Sequence, residues 1–286
     1  VSFGSRLQTA FDEAGHLCVG IDPHPYLLAE WGLADDAAGV REFGLRVVDA
    51  CVARAAIVKP QVAFFERHAS AGFAALEEVI AAARAAGLLV IADAKRGDVG
   101  TSVEAYGQAW LTPGGALESD AMTISAFQGV GSITAPHALA AAGDKGLFVL
   151  AATSNPESFA LQRSLGQNGA SVAAGIVSEV HNWNRAEIAD ATELGSSSLG
   201  STGVVIGATV SLADYGISAS DLVGTPILAP GFGHQGGALA DVRSIFGAAT
   251  DGVLVSASRS VLGAGPSEIA AAVTRNTREV AEAFAS

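Results

Sequence analysis

Short apolar runs recur along the chain, each closed by a small, polar or charged residue: LCVGID (17–22), AIVKPQ (56–61), LLVIADAK (88–95), AMTIS (121–125), GLFVLAA (146–152), GVVIGA (203–208), PILAPG (226–231) and GVLVSAS (252–258). They show little alternation of apolar and polar positions, which is the pattern of parallel strands covered on both faces. Between them the apolar spacing changes to three and four. Leu76, Val79, Ile80 and Ala83 form one helical stripe, with Gly87 placed for its C-terminal cap. Val172, Ile176, Val180 and Trp183 form a second stripe, and Pro266 suits the first position of a last helix whose inner side is Ile269, Val273, Val280 and Phe284. The Gly, Ser and Thr stretch from Gly195 to Gly203 reads as a loop before the sixth strand.

Eight strand candidates alternating with helices predict an α/β protein, a (β/α)8 TIM barrel built by residues 1–286 as a single domain. A doubly wound open sheet uses the same alternation but usually carries a dinucleotide fingerprint after its first strand. This chain reads GIDPHPY there.

Composition narrows the classes. Half of the 286 residues are hydrophobic, ample for a core. With 16 Lys and Arg against 29 Asp and Glu, the net charge of −13 opposes binding to nucleic acid, so an anionic ligand needs a local positive site. The apolar runs are far shorter than the ~20 residues of a membrane span, and VSFGSRLQTAFDEAG does not read as a secretion signal. A cytoplasmic protein without membrane contact is expected. Cys18 and Cys51 are too few for a disulfide framework and read as buried, reduced thiols. The six histidines are scattered without metal-ligand spacing, and no P-loop or GxSxG elbow occurs; neither a metal nor a cofactor is expected.

The charges that remain are concentrated at strand ends. ADAKRGDVGTS (92–102) follows the third apolar run and crowds Asp93, Lys95, Arg96 and Asp98 into six positions. Residues two apart on a strand share a side, so Asp93 and Lys95 are expected to project together into the C-terminal mouth, where barrel active sites sit. Asp98 lies beyond the strand, and periodicity gives it no direction. Asp22 ends the first strand, Lys59 the second, and Ser154 follows the fifth. After the seventh strand comes APGFGHQGG (229–237), with Pro230, Gly231, Gly233 and Gln235; after the eighth, Arg259. Glycine backbone and an arginine fork after strands seven and eight suit a phosphate.

These residues resemble the orotidine 5'-phosphate decarboxylase family, whose signature D-x-K-x-x-D plus an aliphatic residue is met by Asp93, Lys95, Asp98 and Val99. LCVGIDPHP, VKPQVAFFE, DAKRGDVG, TSNPE, PGFGHQGG and SRS extend the resemblance over nearly the whole barrel, on the longer bacterial branch. It implies metal-independent conversion of orotidine 5'-phosphate to UMP and carbon dioxide in pyrimidine biosynthesis. Lys95 would protonate carbon 6 of the pyrimidine, and Asp93 would sit against the substrate carboxylate. Asp98 would reach the active site of the second subunit of a homodimer. Asp22 and Lys59 would hold the ribose hydroxyls, Ser154 the pyrimidine amide, and Gln235, Arg259 and the Gly231–Gly233 backbone the phosphate. Ser102, preceded by Thr101, stands where the family carries Thr, and SAFQG replaces its Pro-Tyr after strand four. A magnesium-dependent phosphosugar enzyme with the same D-x-K-x-x-D is the rival reading; Lys59 and the TSNPE loop favour the pyrimidine substrate.

Overall fold

The computed structural model describes residues 1–193, 199–233 and 236–285. Its eight strands are β1 (Leu17–Ile21), β2 (Ile57–Pro60), β3 (Leu89–Arg96), β4 (Ala121–Ile124), β5 (Gly146–Ala152), β6 (Thr202–Ile206), β7 (Ile227–Pro230) and β8 (Val253–Ala257). All neighbours pair in parallel and β8 closes back on β1, so the sheet is a closed (β/α)8 barrel. The helices are α1 (Phe3–Ala14), α2 (Pro25–Glu30), α3 (Ala37–Cys51), α4 (Val62–Glu66), α5 (Ala69–Ala85), α6 (Gly100–Leu111), α7 (Thr134–Ala142), α8 (Phe159–Gln162), α9 (Val172–Glu193), α10 (Val242–Phe246), α11 (Arg259–Leu262) and α12 (Ile269–Ala285). Among the described residues no helix is long and apolar enough to cross a membrane.

The strands read as continuous apolar runs because both faces are covered. Outward residues such as Val19, Val58, Val90, Met122, Val149, Val204 and Val255 join the core formed with the surrounding helices. Inward residues form a second core: Cys18, Ile57, Ile91, Ala121, Phe148, Val205, Leu228 and Leu254, closed by Phe3, Leu7, Ala10 and Phe11 of α1. Helix α1 therefore plugs the N-terminal end. At the same end Lys145, only 5% exposed, bonds Glu118 at 2.6 Å, which also takes Arg84.

Each inward stripe changes character as it climbs. Ile57 is followed two residues on by Lys59 and then Gln61, Ile91 by Asp93, Ala121 by Thr123, and Leu254 by Ser256. With a period of two these polar residues stay inside the barrel, one layer above its apolar filling.

Three local expectations are corrected. Pro266 does not open the last helix: it lies in a turn after Gly265, whose φ is +81°, and α12 begins at Ile269. Val172 is exposed, because the buried face of α9 runs through Ala173, Val177, Val180 and Asn184. Asn184 is inside because its amide bonds both backbone groups of Thr202, at 2.6 and 3.1 Å. Between β6 and β7 the chain makes two 3-10 turns, Leu212–Tyr215 and Ala219–Leu222, instead of an α-helix. By contrast, Leu76, Val79, Ile80 and Ala83 are all buried on α5, and Gly87 follows it at φ +78°. Cys18 and Cys51 are free and buried. Of the expected loop at 195–203, residues 195–198 lie outside the described residues, and β6 already begins at Thr202.

The Phe148 ring fills the barrel floor and meets Phe3 edge-on, with centroids 6.1 Å apart. Phe148→Ala is expected to cost about 3–5 kcal/mol in urea unfolding through the cavity it leaves. Leu165→Ala, at a site 73% exposed, is expected to cost no more than about 0.5 kcal/mol.

Candidate active site

A cavity of about 310 Å³ opens at the C-terminal mouth and is lined by Asp22, Lys59, Gln61, Asp93, Lys95 and Arg259, with Pro230, Gly231 and Phe232 along the β7 side. That is a ligand-sized space. Its electrostatic centre is Asp93, 6% exposed. One carboxylate oxygen accepts from Lys59 Nζ and Gln61 Nε2, both at 2.8 Å. The other accepts from Lys95 Nζ at 2.6 Å and the Thr123 hydroxyl at 2.9 Å. Burial alone would raise the Asp93 carboxyl, but the charges and hydrogen bonds of Lys59 and Lys95 hold it well below the usual carboxylate range. Burial alone would lower Lys59; the carboxylates of Asp93 and Asp22 hold it above the usual lysine range. The site is thus a lysine–carboxylate–lysine array around an ionised Asp93.

Lys95 and Asp93 do meet, yet not through regular strand alternation. Ala92 pairs with Met122 and Arg96 with Ile124, so four steps along β3 match two along β4. Lys95 sits in this bulge with φ +47°, a left-handed conformation that costs a non-glycine residue about 1–3 kcal/mol. Its backbone N–H donates to the Thr123 hydroxyl at 2.9 Å. The ammonium remains accessible, with 45% of the side chain exposed.

The other expected site residues divide. Asp22 lines the cavity, and its buried Oδ1 has no hydrogen-bond partner among the described residues. Arg259 opens α11 at the cavity edge, and no carboxylate among the described residues pairs with its guanidinium. Pro230 and Gly231 line the cavity, whereas the Gly233 amide is taken by the Gly237 carbonyl at 2.7 Å, within the loop itself. Gln235 lies outside the described residues. Ser154 is exposed at the mouth beside Gly207, outside the cavity lining. Asp98 accepts from the Val99 amide at 2.8 Å and does not reach Lys95 of its own chain; Ser102 is exposed on α6. Sequence reasoning missed Gln61, Thr123 and Ser256. Gln61 was marked by its place two residues beyond Lys59, and Thr123 by being the polar residue inside a buried strand.

The family model described as the orotidine 5'-phosphate decarboxylase / HUMPS family matches residues 15–273. The chain belongs to that family. It is 48% identical to the orotidine 5'-phosphate decarboxylase of Salinispora arenicola over 265 residues, covering 93% of this chain and 91% of the relative. The orotidine 5'-phosphate decarboxylase of Streptomyces coelicolor is also 48% identical, over 92% of this chain and 91% of its own. Among solved structures, the barrel superposes with a TM-score of 0.91 on one from Streptomyces avermitilis assigned as an orotidine 5'-phosphate decarboxylase. That chain is 44% identical, with 100% of this chain and 96% of the other covered. The OMP decarboxylase of Leishmania donovani gives 0.76 at 27% identity over the whole of both chains.

Because the Asp93 pKa is depressed in the folded state, its stabilisation is present above the unfolded value of ~3.9 and is lost as pH falls through the folded one. The raised Lys59 contributes below its unfolded value of ~10.4 and loses that contribution as pH rises through the folded one. Asp93→Asn, which strands Lys59 in the interior, is expected to cost about 3–5 kcal/mol at neutral pH in urea unfolding. The deficit should shrink as pH falls below about 4, because the unfolded parent takes up a proton there while Asp93 of the folded parent stays ionised. A deficit that does not change with pH would show that the pairing is not its source.

Proposed function

We propose that the protein decarboxylates orotidine 5'-phosphate to UMP without a metal ion, with Lys95 as the proton donor to carbon 6. The observation that carries this reading is the Lys95 ammonium held 2.6 Å from a buried, ionised Asp93 in a cavity that Arg259 also lines. Departure of carbon dioxide leaves an electron pair on a ring carbon with little resonance relief. A cation beside that carbon stabilises the developing charge by about 4 kcal/mol at 4 Å and an intermediate effective dielectric. The ammonium then transfers a proton to the carbon, and solvent at its exposed side restores it. Asp93 keeps the lysine charged and also stands against the substrate carboxylate, whose loss relieves the repulsion.

The remaining roles follow the chemistry of each side chain. The Oδ1 of Asp22, without a partner among the described residues, accepts from a ribose hydroxyl, and Lys59 donates to the same sugar. Arg259 takes the phosphate with the Pro230–Gly231 turn and Gln235, and Ser154 is assigned to the pyrimidine amide. Asp98, with a hydroxyl from Thr101 or Ser102, serves the site of a second copy in a homodimer; within its own chain Asp98 bonds the Val99 amide and makes no ion pair with Lys95.

Lys95→Ala is expected to abolish the absorbance change of orotidine 5'-phosphate while UMP still binds in calorimetry. The parent should keep full turnover in excess EDTA; activity lost on chelation and restored by magnesium would favour the metal-dependent phosphosugar reading. Subunit sharing has its own test. Lys95→Ala and Asp98→Ala are each expected to be inactive, but mixing them should restore about a quarter of parental turnover, since one site of each mixed dimer is whole. No recovery on mixing, with mixed dimers shown to form, would place Asp98 in its own subunit's site.

A further inference from the structure

We propose that Thr123 is a positioning residue for the reaction, its hydroxyl tying the backbone of Lys95 to the carboxylate of Asp93. The inference rests on the proposed function for its kinetic consequence, and on geometry alone for the link. Thr123 is 1% exposed, lies on β4 under the array and is absent from the cavity lining, so it touches no substrate.

Two hydrogen bonds define its role. The hydroxyl accepts from the Lys95 N–H at 2.9 Å and bonds Asp93 Oδ1 at 2.9 Å. Proton counting fixes the directions. A threonine hydroxyl has one proton and two lone pairs, an ionised carboxylate only accepts, and a backbone amide only donates. The hydroxyl proton therefore points to Asp93 and a lone pair to Lys95.

The position makes this link consequential. Between Ala92 and Arg96 the β3 backbone leaves its pairing with β4. Lys95, inside that gap, holds φ +47°, where a non-glycine residue stays only if its surroundings enforce it. The amide of the proton donor is thus bonded by a side chain at the point where the ladder lapses. The same hydroxyl orients the oxygen that receives Lys95 Nζ at 2.6 Å. One group sets both ends of the lysine, its backbone and its charged tip. Elsewhere in the barrel the inward polar residues of this layer, Lys59 and Gln61, act on the other oxygen of Asp93 and leave the Lys95 backbone untouched.

Thr123→Val keeps the shape and removes the hydroxyl; Thr123→Ser keeps the hydroxyl on a side chain with more rotational freedom. The expected result is a fall in kcat of about 10- to 100-fold for Thr123→Val. KM and UMP affinity should stay within about twofold of the parent, because no substrate contact is lost. Thr123→Ser should recover most of kcat. Parental kcat in Thr123→Val would overturn the proposal, as would Thr123→Ser failing to exceed Thr123→Val. A parallel loss of kcat and UMP binding with a collapsed thermal midpoint would overturn it too, since that is the mark of a merely structural role. If the parent does not turn over orotidine 5'-phosphate, the functional reading fails separately, and the link is read by NMR. The Lys95 amide proton should then move upfield in Thr123→Val and stay near its parental shift in Thr123→Ser; an unmoved amide would overturn the link.

Discussion

The carboxylate of Asp93 is the constraint on which the mouth of this barrel depends. A buried negative charge is tolerated only when it is paired and its lone pairs are filled. Four donors from three strands, Lys59 and Gln61 from the β2 end, Lys95 from β3 and Thr123 from β4, meet that requirement. Each donor is thereby fixed relative to the others. The geometry of the cavity's charged groups and the solvation of Asp93 are the same set of contacts.

The barrel supplies the conditions for such a set. Its inward residues are apolar up to the layer of Ile57, Ile91, Ala121 and Leu254, and α1 seals the far end. Water is kept from below, so polar residues one layer higher work in a medium where their charges are felt strongly. The filled floor also holds the strand ends at fixed spacing. That matters because every partner of Asp93 comes from the same or a neighbouring strand, and a shift of one residue would turn Lys59 outward.

The fold was largely legible because its signal is repetitive. Eight apolar runs of strand length, all lacking alternation, leave few architectures open, and each error in their limits was small beside the pattern. The misreadings have local causes. Val172 was taken for the inner side of α9 because Asn184, polar in sequence, is buried through bonds to the Thr202 backbone, which rotates the true face. Pro266 looked like a first helical residue, but the left-handed Gly265 before it places it in a turn. The site was legible where charge stands out against an apolar background, as at Asp93 and Lys95. Thr123 and Gln61 left only faint marks, a lone hydroxyl in an apolar run and a place two residues beyond Lys59, and only the folded register shows that both meet Asp93. Asp98 escaped placement for another reason, since a residue past a strand end has no periodicity to orient it.

The bulge at Lys95 shows why a sequence rule can reach the right pairing by an incomplete route. Regular alternation would set Lys95 beside Asp93 on one face of a straight strand, both tied to the β4 ladder. The observed backbone departs from that ladder and holds a lysine at positive φ, which stabilises nothing by itself. The departure releases the lysine from the pleat, so its tip is placed by the Asp93 oxygen and its root by Thr123. Strain of this kind persists only under several simultaneous restraints, and here the restraints are the bonds that aim the lysine at Asp93. A strand without the bulge would avoid the positive φ of Lys95 and would lose that independent placement of its ammonium, which is the trade expected where a fold concentrates local strain at a site of function.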